Sequence, residues 1–100
     1  MLIQRWQAAT LPTLEQLKLI LQAEGIEFKE EKIEPSFKIQ EHRHPFGEVR
    51  IVVDGELVFN VGGTQLMLRA GDRIDIAANT KHSHFTQSIG ALTLYGSKPF

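Results

Sequence analysis

The chain has 100 residues, no cysteine, and 11 Lys+Arg against 12 Asp+Glu, for a formal net charge of −1. That length accommodates one domain with one core, and the lack of cysteine excludes disulfides, thiolate catalysis and Cys-based zinc or iron–sulfur sites. The even charge balance argues against a nucleic-acid partner, no run approaches the roughly 20 apolar residues of a membrane span, and the opening Met1–Gln7 is too short and polar for a signal peptide, so a cytoplasmic location is expected.

Residues 1–12 read either as an extra strand or as a dimerisation arm. Thr13-Leu14-Glu15-Gln16 has the form of a capping box, and Leu14, Leu17, Ile20 and Leu21 follow at helical spacing, with Leu19 off the stripe. Gly25 stands where a helix-ending glycine belongs, so the pattern predicts a helix over 14–24. It serves either as an amphipathic lid on the β-structure or as a partner-binding helix. From Ile26 the period becomes two, through Phe28, Ile33, Phe37 and Ile39. Turn signals then follow at Pro45-Phe46-Gly47, Asp54-Gly55, Gly62-Gly63, Ala70-Gly71-Asp72 and Asn79-Thr80-Lys81. Asp54-Gly55 reads as a hairpin turn between strands 49–53 and 56–61, and Gly62-Gly63 as another before 64–69. Short strands at intervals of about ten residues predict an all-β sandwich or barrel. The expected organisation is one domain over 1–100, with an arm and helix in 1–25 and β-structure in 26–100.

All four histidines fall in two pairs, His42/His44 and His82/His84. Residues two apart on a strand face the same side, so His42 and His44 project together. The turn at Pro45-Phe46-Gly47 lets Glu48 approach the same point, and only a folded-over sheet delivers His82 there. Read alone, these groups are either metal ligands or an internal Glu–His hydrogen-bond network.

The spacing His42-x-His44, three residues, Glu48, six residues, Gly55 resembles the first cupin motif, and Gly71 followed eleven residues later by His82 resembles the second. Ser36 and Asn79 stand where those motifs have Gly, Ala77 where they have Pro, and Thr86 where they have Asn; Asn79 still tolerates a left-handed turn. The resemblance spans about residues 36–86. It implies an all-β cupin double-stranded β-helix, a jelly-roll barrel with one N-terminal α-helix, holding a divalent metal through His42, His44, Glu48 and His82.

Three imidazoles and a carboxylate suit a divalent transition metal such as Fe, Mn, Ni or Zn better than Mg or Ca. Arg50, two residues beyond Glu48, is a candidate anchor for an anionic group of a substrate. His84, two beyond His82, is a candidate proton shuttle. Catalytic roles are therefore expected for Glu48, His84 and Arg50. Phe46, Phe59, Phe85 and Tyr95 are either pocket walls or ordinary packing. Glu48-Val49-Arg50, Gly71-Asp72 and His82-x-x-Phe85 are also similar to acireductone dioxygenase, an Fe- or Ni-dependent cupin. Two functions stay open: a metal-dependent dioxygenase or isomerase acting on a small oxygen-rich metabolite, and a non-catalytic module that binds a small molecule or metal. A homodimer is expected, because small barrels cover open sheet edges with a partner.

Overall fold

A strand forms where alternate residues find a buried face, and residues 1–98, described in a computed structural model, place eight strands and one helix in this order: β1 (Leu2–Gln4), α1 (Leu14–Ala23), β2 (Phe28–Ile33), β3 (Lys38–His42), β4 (Gly47–Val61), β5 (Thr64–Arg69), β6 (Arg73–Ile76), β7 (His82–Phe85) and β8 (Ala91–Lys98). Pro99 and Phe100, the end of the expected barrel, lie outside the described residues. All strand pairings are antiparallel.

Strand β4 holds the fold together because it belongs to two sheets. Its first half pairs with β6 on one side and β8 on the other, and β1 and β2 extend that sheet at its edges. Its second half pairs with β5 and β7, and β3 lies beyond β7. The two sheets face each other in the expected jelly-roll arrangement. An apolar cluster of Val52, Leu57, Phe59, Leu68, Ile74 and Ile76 lies between them.

The hairpin expected at Asp54-Gly55 is not there. Asp54 and Gly55 stay paired with Leu92 and Ala91 of β8, and the ladder shifts register between Val52 and Asp54. The extra residue of this bulge is Val53, and Asp54-Gly55 follows it where β4 passes from one sheet to the other. Gly55 has φ +84, and a left-handed glycine serves a strand that bends beside a bulge as well as it serves a tight hairpin. An Asp-Gly pair therefore reads the same in both. The second turn is as expected: Val61 pairs with Thr64, and Gly62 and Gly63 both have positive φ.

Helix α1 begins at the expected capping box. Gln16 N donates to Thr13 Oγ1 at 3.1 Å, and Thr13 N donates to Gln16 Oε1 at 2.8 Å. The helix ends one residue earlier than expected, at Ala23, with Gly25 beyond it in the left-handed conformation. Leu17 and Leu21 are buried against Val49, Ile51 and Leu94, whereas Leu19 and Ile20 are exposed. The helix is thus a lid over the outer face of the first sheet, and its buried stripe is narrower than the sequence indicated. Among the described residues no helix is long and apolar enough to cross a membrane.

This lid has a consequence for the site. With Val49 and Ile51 turned out under α1, the pleat turns Glu48, Arg50 and Val52 inward. The first turns of β4 therefore place two charged side chains inside the barrel. The N-terminal segment forms the extra strand β1, tied down by Asp72, whose carboxylate accepts from Trp6 N, Arg5 Nη1 and Arg69 N at 2.8–3.0 Å.

Candidate metal centre

Register brings the two histidine pairs together. Strand β3 lies beside β7, with His42 opposite His82 and Ile39 opposite His84; a shift between Ile39 and His42 re-aims the end of β3. His44 lies just beyond the end of β3, so its approach comes from the connecting segment rather than from a regular pleat. Asn79 fixes that segment by donating its backbone N–H to His44 O at 2.6 Å.

The rings of His42 and His44 are 4.7 Å apart between centroids, and those of His42 and His82 are 4.4 Å apart. One ring nitrogen from each of His42, His44 and His82 falls in a group whose members all lie within 4.8 Å of one another. Glu48 Oε1 lies 3.4 Å from His44 Nε2 and 3.7 Å from His82 Nε2. The four residues expected to share one ion thus converge at one end of the barrel.

The donor atoms suit a cation. His42 Nδ1 lies 2.8 Å from Gln40 O, and His82 Nδ1 lies 2.8 Å from Thr80 O. A carbonyl can only accept, so each Nδ1 carries the proton and each Nε2 presents a lone pair. His82 Nε2 is buried without any hydrogen-bond partner. A buried lone pair of this kind is costly unless something binds it.

Electrostatics make Glu48 the anion of the group. Burial pushes the Glu48 carboxyl up, but His82, Arg50 and His44 outweigh it and hold its pKa below the ordinary value, so it is an anion. The Glu48 carboxylate raises His82 against the effect of burial. Burial lowers His44. His84, buried and facing Arg50, is pushed down to about 4, so at neutral pH it is an uncharged imidazole.

Arg50 is where the sequence places it, inside the barrel and only 5% exposed, but its fork is already engaged. Nη1 donates to Glu31 Oε1 at 2.6 Å and to Thr93 Oγ1 at 2.9 Å. Nε lies 3.5 Å from Glu48 Oε2 and has no hydrogen-bond partner. The guanidinium carbon lies 4.6 Å from the centroid of Tyr95. Sequence reasoning missed Glu31. Its only signal is the alternation of Lys29, Glu31 and Ile33 on β2, and Glu31 meets Arg50 only because Glu31 pairs with Thr93, and Thr93 in turn with Val52 of β4.

A cavity of about 210 Å³ opens beside these groups, lined by Glu31, Ile39, Glu48, Arg50, His84 and Tyr95 together with His42 and His44. Phe59 packs against His84 with ring centroids 5.2 Å apart, and Phe46 stacks on His44 at the rim, at 4.9 Å and 9°. Phe85 is not a wall of this cavity. It follows inward-facing His84 and so turns to the outer face of the second sheet, where it lines a separate hollow with Phe37 and Asn60.

The motif departures have structural replacements. Ser36 and Asn79, at glycine positions of the motifs, have φ of 56° and 60°, so both positions require the left-handed region. Thr86 Oγ1 accepts from Phe37 N at 3.0 Å and donates to Glu34 O at 2.5 Å, which ties the segment before β3 to the end of β7.

The cupin-domain family profile matches residues 29–95, well over half of the chain, and the protein belongs to that family. No curated protein matches its sequence at a significant level. Among solved structures it is similar to an RmlC-like cupin from Shewanella frigidimarina, with 26% identity and a TM-score of 0.63 over 74% of this chain and 68% of that one. A cupin-2 domain protein from the same organism is 20% identical, with a TM-score of 0.63 over 95% of this chain and 83% of that one. A DMSP lyase structure is 26% identical, with a TM-score of 0.68 over 73% of this chain; the chain spans only 38% of that protein.

Proposed function

We propose that this cupin binds one divalent transition-metal ion through His42, His44, His82 and Glu48 and acts as a metal-dependent enzyme, a dioxygenase or isomerase, on a small oxygen-rich metabolite. The observation that carries the metal is the buried, unpartnered Nε2 of His82 beside His44 and the Glu48 carboxylate. Imidazole and carboxylate donors suit Fe, Mn, Ni or Zn. Such an ion supplies Lewis acidity and a position for a substrate oxygen.

The surrounding side chains have distinct tasks in this reading. The backbone carbonyls of Gln40 and Thr80 keep His42 and His82 in the donor tautomer. Arg50 holds Glu48 ionised and oriented. His84, neutral and facing the cavity, accepts or returns a proton at its ring nitrogen. Buried Phe59 keeps water from that end of the cavity. Likeness to a DMSP lyase supports an enzyme on a small molecule. The small cavity favours, as a second reading, a module that binds without turnover. Association of two chains through the open edges of β1 or β3 belongs to either reading, and a solution mass of twice 11.3 kDa checks it.

Elemental analysis of the purified and reconstituted protein tests the metal. About one equivalent of a transition metal per chain is expected, with most of it lost in His82→Ala and in the more exposed His44→Ala. Protein that retains none of Fe, Mn, Ni or Zn would sink the proposal. With the metal established, oxygen uptake or turnover across a metabolite panel separates the enzyme from the module.

A further inference from the structure

We propose that the cavity takes a small carboxylate bearing a second oxygen function, such as a hydroxy or oxo acid, and that its carboxylate displaces Glu31 from Arg50. The inference deepens the metal reading and rests on it.

The two partners of the Arg50–Glu31 pair are unequally held. The Arg50 side chain is 6% exposed and the Glu31 side chain 44%. Arg50 stays anchored when Glu31 leaves, because Thr93 Oγ1 accepts from its Nη1 and the Tyr95 ring lies beside its guanidinium. Glu31 projects from β2, an edge strand that among the described residues pairs with β8 alone. A half-exposed carboxylate exchanges its ion pair for water at little net cost. A buried guanidinium does not, and with Glu48 Oε2 3.5 Å away on its Nε side, Arg50 still presents Nη1 to an anion on the side where Glu31 sits. Glu31 fills that position from outside, over the cavity mouth.

Charge balance selects the replacement. Arg50 contributes one positive charge, and Glu31 and Glu48 contribute two negative charges. The cavity alone carries a net −1 and repels an anion. A divalent ion among neutral imidazoles changes this to +1. Exchange of Glu31 for an incoming carboxylate conserves that value, so the ligand that fits is a monoanion.

Two residues that line this cavity each carry a buried polar atom with no hydrogen-bond partner, Arg50 Nε and His84 Nδ1. Arg50 Nε faces Glu48 Oε2 at 3.5 Å, so the incoming carboxylate takes the Nη1 position that Glu31 leaves. His84 Nδ1, an unpartnered ring nitrogen, suits a hydroxyl or carbonyl. At roughly 30 Å³ per water-sized group, the cavity of about 210 Å³ holds about seven such groups, which limits the ligand to an acid of a few carbons.

The test is calorimetric titration of the metal-reconstituted full chain with glycolate, lactate and pyruvate, with the metal content of every sample measured. Lactamide, the uncharged isostere of lactate, is the control. The acids should bind and lactamide should bind at least tenfold more weakly. Glu31→Gln, which removes the competing charge at a half-exposed position, should tighten lactate about tenfold, the equivalent of one charge-assisted hydrogen bond. Arg50→Gln should weaken it by at least as much. If Arg50→Gln fails to fold, Glu31→Gln decides alone. Equal binding of lactate and lactamide, an unchanged affinity in Glu31→Gln, or no binding of any acid to metal-loaded protein would overturn the displacement while leaving the metal centre standing. A chain that holds no ion overturns both, and the elemental analysis identifies that case.

Discussion

Gly55 and Gly62 both sit in the left-handed region, at φ +84 and +56, but for different reasons. A Cβ at Gly62 would meet nothing within 4 Å, whereas one at Gly55 would collide with the carbonyl of Gly90 and lie 2.9 Å from Ala91 Cα. Gly62→Ala should cost only the conformational penalty of about 1 kcal/mol. Gly55→Ala should cost about 2–4 kcal/mol, because the backbone of the neighbouring segment must also move. Urea denaturation of the two variants checks this, and equal losses would show that the approach of Gly55 to Gly90 is not tight. At this scale the sequence was informative about donors and uninformative about their neighbours. The convergence of His42, His44, Glu48 and His82 was legible because the cupin spacing carries residue type and position together. The pairing of Glu31 with Arg50 was not, because it depends on β2 lying next to β8 and β8 next to β4, a relation that no local pattern encodes. Asp54-Gly55 was legible as a left-handed residue and misread as a reversal, because the conformation is common to both.

Helix α1 was legible almost to the residue, because the Thr13–Gln16 capping box and Gly25 are local signals with local causes. Which of its apolar residues would be covered was not legible. Leu14, Leu17, Ile20 and Leu21 share one stripe in the sequence, but only Leu17 and Leu21 reach full burial on the sheet, and Ile20 remains 39% exposed. Leu21→Ala should therefore destabilise the protein by about 2–5 kcal/mol through loss of burial and the cavity left over Val49 and Leu94. Ile20→Ala should cost under about 1 kcal/mol. Thermal or urea unfolding distinguishes these, and similar losses would contradict the seating of the helix. The same seating underlies the site: if α1 detached, Val49 and Ile51 would lose the cover that keeps Glu48 and Arg50 turned inward.

For the molecule as a whole, stability depends on carboxylates as well as on apolar burial. Burial pushes Asp72 and Asp75 up, but hydrogen bonds from Arg69, Trp6 and Arg5 to the first, and from Arg73 and Lys98 to the second, hold both below 3.8. Glu24 is held below 4.5 chiefly by Arg73, which joins the end of α1 to β6. A carboxyl whose folded pKa is depressed contributes stability that is complete above its unfolded value and is lost as pH falls through the folded one. The melting temperature of the metal-free protein should accordingly begin to decline below about pH 6.5, where unfolded His84 and His44 take up protons that the folded imidazoles resist. It should fall steeply below about pH 4 as the carboxylates protonate. Asp75→Asn should lose stability at neutral pH and show a shallower acid limb. In the proposed metal reading, an ion adds a separate contribution that can be isolated at pH 7. An ion that binds only the folded state at one hundred times its dissociation constant stabilises it by about 2.7 kcal/mol. For a chain of this size each kcal/mol is worth roughly 4–8 °C, so chelation should lower the melting temperature by about 10–20 °C. His82→Ala should melt at one temperature with or without the ion, since the atom it removes is the buried Nε2 that nothing else satisfies. Wild-type protein whose melting temperature ignores both chelator and added metal would mean that the four groups satisfy one another, and that the convergence of His42, His44, His82 and Glu48 is a closed polar network instead of a coordination site.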